Sequence, residues 1–378
     1  MKEIAKKFDV IIIGGGLAGL CNAIHLSKFG KKVLLIERNE YPKHKVCGEY
    51  ISNEVLPYLK FLNVDPFNLG AVKIDKFQLS TNKGNLIAAK LPLGGFGISR
   101  YALDFELSKK AIKNGVIILK DIVVNVDYFN DSFLIQTKEN KTYTSKITIG
   151  AFGKRSLLDV KMKRNFIKKK APYLGVKLHV KGHFPEDLVA LHNFKGGYCG
   201  VSKVENNTIN LCYITNFSSF KKYKNIDDFQ ENIVFKNQFL KKIFNASEAV
   251  FDYPLTISQI SFKTKKPIEN HMIMCGDSAG MIHPLCGNGM SMAIQSAQIA
   301  SKLILNYIEG EISSRAELEK RYIRQWNRQF KWRLKAGHFI AMLFRKDRVA
   351  NMLLEVLRIF PFLIPFIIKQ THGKPMKL

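Results

Sequence analysis

The sequence predicts an α/β protein: a layer led by a βαβ unit carries an inserted, mostly antiparallel β layer and closes on a run of helices. Three observations predict it. A β-branched strand, a glycine turn, a helix and a second apolar strand fill residues 8–37. Strand-like runs with period-two patterning crowd residues 76–97 and 166–265. From Gly289 onward the pattern is helical.

The N-terminal unit reads in order as a strand at Phe8–Ile13, a helix in "LAGLCNAIHLSKFG" with Gly30 as its C-cap, and a buried strand in "KKVLLIE". Gly14, Gly16 and Gly19 have the G-x-G-x-x-G spacing, and Glu37 ends the second strand. The first glycine permits the turn, the second lets backbone approach a pyrophosphate, and the third lets helix pack on strand. The helix N-terminus attracts the phosphates and Glu37 accepts the ribose hydroxyls. A dinucleotide on a Rossmann-like layer follows.

After the irregular "YPKHKVCGEYIS", a helix is expected at Glu54–Leu62, alternating strands in "KIDKFQLST" and "NLIAAKLPL", and a helix at Leu103–Lys113. Hairpin strands then lead to an apolar strand at Ile147–Ile149. Lys161–Lys170 reads as a basic, solvated loop, and the second layer runs from Pro172 to about Pro267 with one helical stretch near Asp227–Phe244. Three regions result: residues 1–75, 98–165 and 266–308 bind the dinucleotide, 76–97 and 166–265 form the substrate layer, and 309–378 are helical.

"GDSAGMIHPLCGNGMSMA", residues 276–293, places Asp277 after an apolar strand and bare glycine amides before a helix. The carboxylate suits a polyol chain, and the amides suit an anion stabilised by a helix N-terminus. Reduced flavin is such an anion and FAD carries the polyol, so both ends of the sequence would hold one FAD.

The C-terminal region opens with capping-box spacing at Ser314–Glu317 and continues as a long basic helix through Trp326 and Trp332 toward Arg348. Beyond it, the charge-free run Ile359–Ile368 is about half the roughly 20 residues a spanning helix needs and holds two prolines. Three roles stay open for it: lying in a membrane interface, closing over a lipophilic pocket, or capping the core.

With 59 Lys+Arg against 31 Asp+Glu, the net charge is +28. That favours anionic partners, although a Lys- and Ile-rich composition accounts for it equally well. No nucleic-acid-reading module is present, and nucleic acid is not expected as a partner. Six scattered cysteines without metal-like pairing fit a reducing cytoplasm. The lysines and apolar run of the first 20 residues imitate a signal peptide but lack a cleavage site, so export is not expected.

"GGGLAG" with Glu37-Arg38, "KVCGEYIS", "GISRYALDFEL" and "GDSAGMIHPLCGNGMSMA" together resemble the FAD-dependent oxidoreductases of the para-hydroxybenzoate hydroxylase fold. The closest likeness is to the branch holding geranylgeranyl reductases and flavin-dependent halogenases. The resemblance implies that Gly14, Gly16 and Gly19 turn around the pyrophosphate, Glu37 binds ribose, Arg38 lies by the adenosine and Arg100 contacts FAD. It also implies that Asp277 holds the ribityl chain, that Pro284 and the Gly287, Asn288 and Gly289 backbone face the flavin, and that Cys47 sits near the ring. Cys47 and His283 are the catalytic candidates, with a structural thiol and a brace for the Pro284 loop as their alternatives.

Departures shape the expected activity. Gly150-Ala151-Phe152-Gly153 lacks the acid of the hydroxylase G-A-D-G, and Gly280 stands where hydroxylases carry His. Tyr198–Lys203 does not match the reductases' Y-x-W-x-F-P, and the halogenases' W-x-W-x-I-P is absent. The expectation is therefore a monooxygenase acting on a lipophilic or carrier-bound substrate, with double-bond reduction as the alternative. Halogenation and a non-enzymatic anion- or membrane-binding flavoprotein rank behind both. NAD(P)H is the expected electron donor, with a separate flavin reductase as the other source and peripheral membrane contact through the C-terminus.

Overall fold

The structure is a computed structural model that describes residues 6–168, 172–344 and 347–378. The first five residues, the end of the Lys161–Lys170 stretch and the junction before Arg348 lie outside the described residues.

Among the described residues, the first sheet has eight strands. Lys6–Ile13 lies at its centre, parallel to Val33–Glu37 on one side and to Thr142–Gly150 on the other. Val10 to Ile13 and Val33 to Ile36 are all buried, the near-continuous apolar pattern of parallel strands covered on both faces. Met272–Met274 adds in parallel beyond Thr142–Gly150, which brings the chain back to the dinucleotide edge just before Asp277. The helix Leu17–Lys28 is buried from Leu17 to Leu26, because the helix Gly289–Ile308 covers it from outside. Gly30 (φ +71°) follows its end, as expected of a glycine beyond a C-terminus.

Among the described residues, the second sheet has nine strands and is antiparallel except where Leu188–Phe194 runs parallel to Val72–Ser80. Alternation along Leu188–Phe194 gives it two apolar faces. Leu188, Ala190 and Phe194 pack on Phe229, Val234 and Leu240 from the helical stretch, whereas Val189 and Leu191 face a cavity. This sheet recruits residues that the sequence reading gave to the first layer: Tyr50–Ser52 pairs with Leu86–Gly97, and Val72–Ser80 begins before residue 76. The turn at Glu49 (φ +53°) redirects the chain from one layer to the other.

The C-terminal region forms the helices Arg315–Phe344, Asp347–Ile359 and Leu363–Thr371. Ser314 Oγ caps the first by accepting from Glu317 N at 3.3 Å. Leu354, Leu357 and Ile364 pack on Leu79 and Ile87, so the apolar run closes over the strands Val72–Ser80 and Leu86–Gly97. The final residues return to the first layer, where Met376 is buried and its amide donates to Glu54 O at 2.9 Å. No helix among the described residues is long and apolar enough to cross a membrane.

Candidate flavin site and apolar chamber

One cavity of about 1400 Å³ joins the glycine turn of the first layer to the apolar face of the second sheet. Its dinucleotide end is built by the turn after Lys6–Ile13. Gly14 has φ +103°, and a Cβ there would stand 2.4 Å from Ala151 O. A Cβ at Gly19 would stand 1.9 Å from Gly14 O, so the helix packs against the turn as the third glycine of the motif requires. Gly16 starts the helix without a side-chain cap and lines the cavity with Leu17 and Ala18, leaving the first helical amides for a ligand.

Glu37 accepts from Gly15 N at 2.7 Å and from Asn39 Nδ2 at 2.8 Å, which fixes its carboxylate at the cavity edge. Arg38 is exposed on the same edge. Arg100 opens the helix Arg100–Lys113, where Asp104 grips its guanidinium through two bonds of 2.7 Å. Its Nη2 lies 3.5 Å from where a Cβ of Gly16 would be. Burial acts against the Asp104 charge, but Arg100 and Lys45 outweigh it and hold the carboxyl below its usual range.

At the other end, Gly276 (φ +60°) brings its loop against Ala18, and Asp277 lines the cavity. The Asp277 carboxylate accepts no hydrogen bond among the described residues. Burial pushes its pKa up against the pull of Lys265, Arg100 and Lys154. Lys265 Nζ donates to Asp277 O at 2.6 Å and to Lys154 O at 2.8 Å, and burial lowers each of these two lysines to about 8. Pro284, Gly287 (φ +62°) and Gly289 line the cavity where the helix Gly289–Ile308 begins. An open pyrophosphate turn, an anchored ribose acceptor, an unpartnered carboxylate and a second helix N-terminus at opposite ends of one cavity fit FAD.

Asn288, expected to face the flavin through its backbone, uses its side chain elsewhere: it donates to Thr371 O at 2.6 Å, holding the end of the last helix. One catalytic candidate lies off the cavity. His283 does not line the cavity. Its Nδ1 accepts from Leu285 N at 3.4 Å while Phe262 packs at 4.5 Å between ring centroids, which makes it the brace of the Pro284 turn. Gly280, where hydroxylases carry His, sits beneath Trp326, with a Cβ there reaching 3.0 Å from the indole.

Cys47 is half-buried where the dinucleotide end meets the apolar chamber, and burial pushes its thiol pKa up. Asn210 Nδ2 holds the loop by donating to Gly48 O at 2.9 Å. Beneath it lies a cluster that sequence reasoning did not identify: Glu49, fully buried, pairs with Lys177 and with His179 Nε2 at 2.7 Å and accepts from Arg100 N at 2.8 Å. The only sequence signal was Glu49 within "KVCGEYIS"; its ionic partners Lys177 and His179 sit on the strand Tyr173–Gly182.

The rest of the chamber is apolar. Val189, Leu191 and Ile214 form its floor, and Phe344, Leu357 and Ile368 from the C-terminal helices form its roof. Lys335 and Trp332 stand exposed at its rim.

Comparison with known proteins places the chain among FAD-dependent oxidoreductases. A family model described as FAD dependent oxidoreductase matches residues 9–46, and one described as squalene epoxidase matches residues 238–341. The chain is 22% identical to the digeranylgeranylglycerophospholipid reductase of Methanococcus vannielii, covering 90% of this chain and 85% of that protein. It is 24% identical to the conditioned medium factor receptor 1 of Dictyostelium discoideum, over 89% of this chain and 69% of that one. Among solved structures, the flavin-dependent brominase Bmp2 superposes with a TM-score of 0.80 at 19% identity, covering 97% and 93% of the two chains. The expected resemblance and the expected fold are both borne out.

Proposed function

We propose that this FAD-dependent oxidoreductase saturates isolated carbon–carbon double bonds in a long lipophilic substrate of the isoprenoid class. The observation that carries the reading is the continuity of the FAD end with an apolar chamber that meets it at Cys47. When bound and reduced, FAD would supply a hydride for one carbon of the double bond. The chain supplies the rest. Gly14, Gly16 and Gly19 bind the pyrophosphate, Glu37 and Arg38 the adenosine side, Asp277 the polyol, and the Gly287–Gly289 amides the ring. Arg100, fixed by Asp104, adds positive charge beside the turn.

An isolated alkene has no oxygen for a basic site to polarise, so its reduction needs orientation, dryness and a proton for carbon. The Val189, Leu191 and Ile214 floor and the helical roof exclude water. Cys47 Sγ, lining the cavity where the FAD end meets the chamber, gives the other carbon its proton and is reprotonated from solvent. The comparisons favour this choice over the oxygen insertion expected from the sequence, since the curated reductase spans nearly the whole chain while the epoxidase model spans residues 238–341. That epoxidase match is the observation behind the second reading, oxygen insertion into a similar substrate.

Electrons come from NAD(P)H, which docks without a Rossmann unit of its own. The work takes place in the cytoplasm at a membrane surface, where such substrates reside. The test is to incubate holoenzyme with NADH or NADPH and a geranylgeranyl-chain lipid and to weigh the product. Added hydrogen pairs support the reading; an added oxygen atom transfers it to oxygen insertion. A flavin bleached by neither nucleotide moves the electron supply to a separate flavin reductase.

A further inference from the structure

The helices over the chamber are apolar on two opposite faces. In Asp347–Ile359, Ala350, Leu354 and Leu357 recur at helical spacing and are buried. Met352, Val356 and Ile359 recur at the same spacing about half a turn away and are exposed, Met352 and Ile359 by 65% and 67%. The next helix repeats the arrangement. Ile364 is buried, while Phe362 and Phe366 stand 70% and 63% exposed. A helix whose apolar arc extends beyond the face it packs normally has a second partner there. Here the outward face has none among the described residues.

Charge indicates what covers it. From residue 348 to the C-terminus the sequence carries Arg348, Arg358, Lys369, Lys374 and Lys377 against the single acid Glu355. Arg348, Arg358 and Lys369 are exposed. Apolar side chains among cations match an anionic bilayer, where rings enter the acyl boundary and cations stay with the phosphates. The helices are too short to span. Their inner faces roof the chamber, so the docked face and the substrate path share the same two helices.

We infer that the outward face of residues 348–369 docks on anionic phospholipid bilayers and presents the chamber roof to the membrane. The inference rests on the lipophilic-substrate reading only for the purpose of docking, because the contact itself is measured without turnover.

The experiment is flotation of full-length holoenzyme with phosphatidylcholine vesicles, with and without phosphatidylglycerol. Wild type is expected to float with the anionic vesicles and to be released by added salt. The I359S/F362S/F366S variant is expected to bind at least about tenfold more weakly, since three exposed apolar groups no longer enter the bilayer. The R358Q/K369Q variant leaves every apolar contact in place and is expected to lose the preference for phosphatidylglycerol. Retained flavin content shows that each variant is folded. Wild type that floats with neither vesicle, or variants that float as wild type does, overturns the inference. So does a wild-type dimer that the triple substitution converts to monomer, which assigns the face to a second copy of the chain. A protein that docks but saturates no double bond loses the proposed reaction and keeps this surface.

Discussion

Glu49 and Lys177 stand 128 residues apart in sequence, yet they share an ion pair in which neither side chain is exposed. The pair ties the Cys47 loop to the second sheet, and Glu49 also accepts from the first amide of the Arg100 helix. One carboxylate thus joins both halves of the site.

Glu49→Ala should therefore be severe. It leaves Lys177 buried with Lys45 O, at 3.2 Å, as its remaining partner, and breaking one side of a buried pair costs about 3–5 kcal/mol. Denaturant unfolding should show that loss, together with reduced flavin content. Burial raises the Glu49 pKa, but His179 and Lys177 reverse this and hold it below the usual carboxylate range. Its contribution is present above that range and is lost as pH falls through the lowered value.

A second pH effect comes from His25 and His192, which burial lowers from 6.5 to about 4. The unfolded chain takes up these protons first. Thermal stability should decline as pH falls through 6.5 and stop responding to these groups below about 4. A melting temperature that is flat across that window would remove the assignment.

Gly19→Ala should give a colourless protein. The added Cβ would meet Gly14 O at 1.9 Å, a backbone atom of the pyrophosphate turn that cannot step aside cheaply. Flavin absorbance per mole of purified protein checks it, and a fully yellow variant would mean that the turn does not hold FAD.

Cys47→Ala and His283→Ala should separate chemistry from bracing. The first keeps flavin and lowers turnover about 10²-fold, the lower scale of a lost proton donor. The second keeps turnover and costs about 1 kcal/mol of stability, as the loss of a turn cap does. Steady-state kinetics beside thermal melts distinguishes the two.

The parts of this site that were legible in the sequence are those fixed by backbone. Gly14 and Gly287 must be glycine because their φ is positive, Gly19 because the helix packs directly on the turn, and Asp277 follows a strand that had to return to the same sheet edge. The Glu49–Lys177–His179 cluster was hidden because its members meet only through pairing across the second sheet. His283 sits in the right loop, but side-chain direction is set by packing, and it lies off the cavity, bracing the Pro284 turn. The run Ile359–Ile368 left three roles open because apolarity alone does not say which face is covered. Packing on Leu79 and Ile87 places one face over the chamber.

The most direct test of double-bond reduction removes both oxygen and the electron-donor question. Holoenzyme reduced by dithionite is mixed anaerobically with vesicles containing a geranylgeranyl-chain lipid, and flavin absorbance is followed. The account predicts that oxidised-flavin absorbance returns in step with saturation of the lipid. A flavin that stays bleached until oxygen is admitted, with oxygen then found in the product, would contradict it.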